Sequence, residues 1–205
     1  MKTQDKIASS SKKTPVPPRR IPNKTLRDRE HLTPHEVESV IEAAKKQGRY
    51  GYRDSTMILL SYRHGLRISE LLALQWSQID FRQGHFHVKR RKNGISTTHP
   101  LFGPEIRALR KLQRDYPETQ YVFVTERKGP MTDSTFRKIV TRAGKEAGLQ
   151  FSIHPHMFRH STGFKLANEG KDTRSIQHYL GHRNIQHTVR YTEIVPDRFK
   201  DFWND

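Results

Sequence analysis

Four short runs in this chain hold side chains suited to gripping and cutting a phosphate ester. In His154-Pro155-His156-Met157-Phe158-Arg159-His160, His156 and Arg159 stand three apart, so on a helix they project side by side. That pairs a proton donor with a planar, five-donor cation matched to phosphate geometry. Gly65-Leu66-Arg67-Ile68-Ser69-Glu70 sets a second arginine just after a helix-stopping glycine, with a carboxylate three residues on. Leu180-Gly181-His182 adds an imidazole at a helix end, and Tyr191 follows nine residues later. Between these runs lies the basic stretch Lys89-Arg90-Arg91-Lys92-Asn93-Gly94. Each run also has a plain reading. His156 and Arg159 would suit a solvated helix edge, Arg67 and Glu70 a local ion pair, and Tyr191 is one of seven tyrosines. Metal binding by the imidazoles at 154–160 is disfavoured, because the stretch holds no carboxylate and zinc takes three or four ligands with supporting partners.

These side chains need elements to hold them. Thr33-Pro34-His35-Glu36 spells a capping box with proline in the first turn, and Val37, Val40, Ile41 and Ala44 follow at helical spacing. A second helix is predicted through Met57, Ile58, Leu60 and Tyr62, ending at Gly65, and a short third around Ile68 to Leu74. The period then changes. Strands are predicted near Ile79–Phe81, at 85–88 and at 95–100, the last two joined by a hairpin turn at Asn93-Gly94. Helices are predicted over about 104–115, 132–147, 156–169, 173–180, 185–191 and 196–203, with a brief strand at Tyr121–Val124. The fold class is therefore mainly α with a small antiparallel sheet (α+β).

Composition bounds the partner. Lys+Arg number 38 against 21 Asp+Glu in 205 residues, a net of +17, which favours a polyanion and nucleic acid first. Cysteine is absent, which excludes disulfides, thiol catalysis and cysteine-based zinc fingers. No stretch approaches the ~18 apolar residues of a membrane helix, and the apolar run of a signal peptide is not seen. Residues 1–30 carry nine basic and three acidic side chains and four prolines between Pro15 and Pro22, the composition of a disordered basic arm. The expected division is 1–30 arm and 31–205 folded domain.

Taken in order, Gly-Leu-Arg-x-Ser-Glu, the basic hairpin, His-x-x-Arg-His, Leu-Gly-His and the tyrosine nine residues on resemble the catalytic domain of tyrosine site-specific recombinases, the phage-integrase type. The resemblance covers roughly residues 31–203. It implies Arg67, Lys92, His156, Arg159 and His182 as catalytic side chains, Tyr191 as nucleophile and Glu70 as support for an arginine. Counting back from Pro100 assigns the hairpin lysine to Lys92, with Lys89 the alternative. The layout looks closest to the standalone inversion recombinases that flip fimbrial promoter segments. The domain of most relatives that clamps the other face of DNA has no room before Arg67.

The resemblance further implies DNA strand cleavage and rejoining through a 3′-phosphotyrosyl link, in inversion, integration or excision, with no cofactor, metal or ATP. Its partners would be double-stranded DNA with inverted-repeat sites, a homotetramer in the synaptic complex and a DNA-bending accessory protein. A cytoplasmic, nucleoid-associated bacterial location is expected. Phe199, Phe202 and Trp203 would dock on a neighbouring protomer or cover this chain's own core. Base contacts are expected from the helix at 132–147, through Thr135 or Arg137. Two other classes compete: a DNA-binding regulator that keeps the fold without catalysis, and a type IB topoisomerase-like relaxing enzyme.

Overall fold

Thr33 opens the first helix as its spelling predicts. Its hydroxyl accepts from the Glu36 amide at 3.3 Å, and the Glu36 carboxylate accepts from the Thr33 amide at 2.8 Å. The structure is a computed structural model and describes residues 29–90 and 94–193. Its elements run α1 (Pro34–Lys46), α2 (Gly51–Arg63), α3 (Ile68–Leu72), a 3-10 turn at Trp76–Gln78, β1 (Ile79–Asp80), β2 (His85–Val88), β3 (Thr97–Pro100), α4 (Gly103–Asp115), α5 (Asp133–Glu146), α6 (Pro155–Asn168), α7 (Thr173–Leu180) and α8 (Gln186–Thr192).

The three strands form one antiparallel sheet in the order β1-β2-β3, with Val88 opposite Thr97 and His85 opposite Pro100. Alternation does its usual work, since Phe86 and Val88 are buried while His87 faces solvent. Helices α1, α2, α5 and α6 pack around a main core that includes Val37, Val40, Met57, Leu60, Leu71, Phe136, Val140, Met157 and Phe158. A second, smaller cluster of Phe164, Ala167, Ile176, Leu180 and Tyr191 joins α6, α7 and α8. The fold class thus agrees with the sequence: mostly helical, with one small antiparallel sheet.

Two local expectations are corrected. The strand at Tyr121–Val124 is instead a pair of isolated bridges, Gln75 to Tyr121 and Val124 to Pro130, because no neighbouring strand continues the ladder. The β2–β3 ladder also stops at Val88 and Thr97, two residues short of the expected start of the second strand at 95, and Asn93 of the expected turn lies outside the described residues. There the Arg90 amide donates to the Ser96 hydroxyl at 3.2 Å and the Arg90 side chain turns inward, which replaces strand pairing. Arg29 and Glu30, on the arm side of the expected boundary, are tied to the body. Arg29 makes two bonds to Glu36, at 2.6 and 2.8 Å, and Glu30 pairs with Arg190. The rest of the arm, Lys92 and the helix expected at 196–203 lie outside the described residues.

Candidate active site

Gly65, at φ +56°, turns the chain out of α2, a conformation that suits glycine, and delivers Arg67 to the N-terminus of α3. Glu70, one turn on, closes the helix start by accepting from the Arg67 amide at 2.9 Å and holds the Arg67 guanidinium at 2.7 Å. The Glu70 side chain is buried, while that of Arg67 stays 32% exposed. So the arginine is oriented from below and open above.

Arg159 comes from the first turns of α6 and is 4% exposed. It donates to the Gly65 carbonyl and, at 2.7 Å, to the Leu180 carbonyl at the end of α7. The α7 terminus is a natural seat for a cation, because its last carbonyls have no partner within the helix. Burial, then the charges of Arg67 and Arg90, pull the Arg159 pKa down to about 9. Like charges crowded around one carboxylate make an anion-seeking site.

Gly181, left-handed at φ +66°, stops α7 and places His182 beside this arginine. His182 is buried and its Nδ1 lies 2.8 Å from the Thr188 hydroxyl. Burial, then Arg159 and Arg67, depress its pKa to about 3, so the ring is neutral near pH 7. Tyr191, on α8, stacks on His182 at 6.4 Å between centroids and lies edge-on to Phe164 at 5.1 Å. Its hydroxyl lies 2.9 Å from Nδ1 of His160, whose own pKa burial and Arg190 lower to about 4. His160 is therefore neutral near pH 7 and shares a hydrogen bond with the phenol. The tyrosine ring is 1% exposed, and burial pushes its pKa up despite Arg159 and Arg190.

The fold thus gathers Arg67, Glu70, Arg159, His182 and Tyr191 from three helices (α3, α6 and α8) and the loop after α7. His156 sits at the exposed start of α6, with its ring 6.5 Å from that of His160. A cavity of about 590 Å³ opens beside Arg67 and His182, lined also by Gly94, Arg174, Gln177 and His187 among others.

Residues 30–198 match the Phage integrase family. The type 1 fimbriae regulatory protein FimB of Escherichia coli (strain K12) is 44% identical over 86% of this chain and 90% of its own length. The chain belongs to the phage integrase family. It is a tyrosine-type site-specific DNA recombinase. The tyrosine recombinase XerA of Pyrococcus furiosus is 33% identical over 83% of this chain and 59% of its own length. Among solved structures, the XerH site-specific recombinase bound to its difH substrate superposes with a TM-score of 0.70 at 22% identity. That match covers 86% of this chain and 53% of the other.

In this phage-integrase-family chain, sequence reasoning missed three side chains that touch the expected set. His160 was visible as part of the imidazole cluster, but its partner Tyr191 is 31 residues away and no spacing rule joins them. Arg90 hid inside a run of four basic residues that read as one solvated hairpin. Gln177, one turn before α7 ends, was also missed. Its amide donates to the carbonyls of His182 and Arg183 at 3.0 and 3.3 Å and so fixes the loop that carries His182.

Proposed function

We propose that Tyr191 attacks a DNA phosphodiester gripped by Arg67 and Arg159, forming a 3′-phosphotyrosyl link and freeing a 5′-hydroxyl. The observation that carries this reading is the convergence of two arginines, a buried supporting carboxylate and Tyr191 within one anion-seeking cluster. As the phenol oxygen bonds to phosphorus, its proton must leave, and the departing 5′-oxygen must gain one. His156 and His182 serve as proton carriers or hydrogen-bond donors to the non-bridging oxygens. Lys92, or Lys89 in its place, protonates the leaving oxygen. The two arginines neutralise charge that grows in the transition state, each worth about 3–4 kcal/mol. Attack by a 5′-hydroxyl from another strand reverses the step, so cleavage becomes strand exchange.

In the described conformation the Tyr191 hydroxyl faces His160 and the ring fills an apolar seat. Cleavage therefore requires α8 to shift toward the cavity. The exposed face of α5, with Ser134, Arg137, Lys138, Thr141 and Lys145 along one groove, supports base and phosphate contacts. By likeness to FimB, DNA inversion at inverted-repeat sites is the favoured outcome. A synaptic homotetramer, an accessory bending protein and a cytoplasmic, nucleoid-associated setting complete the proposal.

The test is a nicked suicide duplex carrying half-sites that the protein selects from a random-sequence pool. Wild type should form a covalent adduct and Tyr191→Phe none. Equal adduct from both would overturn the assignment, and sequence-specific binding without any adduct would favour a non-catalytic regulator. Relaxation of any supercoiled plasmid without site preference would favour a topoisomerase-like enzyme.

A further inference from the structure

Arg90 lies against the site, and no step above uses it. The side chain is fully buried in a run whose other described member, Lys89, is exposed. One guanidinium nitrogen donates to Glu70 Oε2 at 2.6 Å, and the other donates to the Tyr179 carbonyl at 2.7 Å. Glu70 thus holds one arginine per carboxylate oxygen, Arg67 on Oε1 and Arg90 on Oε2. Two glycines are shaped around the same side chain. A Cβ on Gly94 would meet Arg90 Cβ at 2.8 Å, and one on Gly181 would meet Arg90 Nε at 2.6 Å. The space is therefore built for this arginine and pins the hairpin base against the α7 terminus.

We propose that Arg90 is a positioning residue: by occupying the inner oxygen of Glu70 and the Tyr179 carbonyl, it keeps Glu70 ionised and aimed, so that Arg67 points into the cavity. This rests on the strand-transfer reading of the site. A carboxylate with one exposed arginine and no second cation would face two costs. Its buried charge would be poorly compensated, and Oε2, left with only the Arg67 amide at 2.9 Å, would lose its charged partner on the hairpin side. Arg90 removes both. Burial alone would push the Glu70 carboxyl up, and the Arg90 charge, followed by the bonds and charge of Arg67, brings it below the usual range. The titratable and charged groups around this pair are Arg67 at the start of α3, Arg159 on α6, Tyr179 on α7 (neutral), His182 just after α7, and His64 and His99 on the α2 end and β3. His99 is held neutral near pH 7, its pKa depressed to about 3 by burial first. Glu70 is thus the group in this cluster whose protonation would release Arg67.

The experiment measures adduct formation on the selected suicide duplex, at saturating DNA and across pH, for the full chain. Arg90→Gln removes the charge but keeps a polar side chain, and Arg90→Lys keeps the charge but gives up one of the two bonds. Arg90→Gln should slow cleavage at least about ten-fold with duplex affinity within about two-fold, the signature of lost transition-state contact. The acid limb of its rate profile should move to higher pH, because Glu70 then protonates earlier. Arg90→Lys should keep the wild-type acid limb and most of the rate. Glu70→Gln/Arg90→Gln should be no slower than the slower single variant, since both changes disable one unit.

Wild-type kinetics in Arg90→Gln, an equal loss in Arg90→Lys, or losses that multiply in the double variant would each overturn the inference. If Arg90→Gln does not fold, the acid limb of Arg90→Lys decides, and a displaced limb there rejects it. Absence of adduct in wild type would instead remove the strand-transfer reading, and this inference with it.

Discussion

Tyr191 is held in place by what surrounds its ring more than by its hydroxyl. His182 stacks on one side, Phe164 meets it edge-on, and Gly163 of α6 lies flat against it. A Cβ at position 163 would lie 2.6 Å from the ring, inside van der Waals contact. Gly163→Ala gains helix propensity worth just under about 1 kcal/mol but must push the tyrosine aside. The expected net result is destabilisation of about 1–2 kcal/mol, read as a lower urea midpoint at unchanged slope. A variant as stable as wild type would mean that the ring has slack and that the seat does not restrain the nucleophile. Glycine is required here by close approach alone, whereas Gly65 and Gly181 combine close approach with positive φ.

Between elements, the hairpin is locked to the helices by a buried polar chain. His99 of β3 meets His64, at the end of α2, at 3.3 Å between ring nitrogens, and His64 meets Glu105, in the first turn of α4, at 3.1 Å. The Tyr179 ring of α7 lies tilted against that of His99 at 4.2 Å and its hydroxyl donates to the Arg63 carbonyl. Burial leads the lowering of the His64 pKa and takes that of His99 down to about 3, while His182 falls to about 3 as well. A histidine depressed on folding binds fewer protons in the native state than in the unfolded chain. Stability is therefore lost as pH falls below the unfolded value of about 6.5, and the loss is complete near the folded value. Each such ring contributes a slope of up to about 1.4 kcal/mol per pH unit. Glu70 and Glu105, held below the usual carboxylate range once their partners outweigh burial, add loss in the same direction at lower pH. The urea midpoint should thus drop clearly between about pH 7.5 and pH 5, and less in His99→Gln. An unchanged midpoint would show that these rings are not held neutral by folding.

The chain as a DNA-binding body carries +17, of which +6 falls on residues 1–30 and +11 on the remainder. Three arginines, Arg67, Arg90 and Arg159, are concentrated at one carboxylate, and the exposed face of α5 adds Arg137, Lys138 and Lys145. The rest is spread, so duplex affinity should respond to salt as a many-phosphate contact. With roughly −0.9 per neutralised phosphate, a log–log slope of about −5 or steeper is expected in filter-binding or anisotropy titrations. A slope near −1 would confine binding to the catalytic phosphate.

Periodicity and capping were local properties, and the sequence carried them. The Thr33 box, the ends of α2 and α7 at glycine, and the α5, α6 and α7 spans were legible because each depends on neighbours within a turn or two. So were Arg67, Glu70, Arg159, His182 and Tyr191 as chemically apt side chains, since residue types and spacing in order form a pattern that chance rarely makes. Burial and partnership were not legible. That Arg90 turns inward while Lys89 does not, and which imidazole meets the tyrosine hydroxyl, are set by contacts across 20 to 89 residues of chain. A basic run looks alike residue by residue. Lys89 and Arg90 differ in what waits beneath each once helices α3 and α7 have packed, and for Arg90 that is a carboxylate and a helix-end carbonyl.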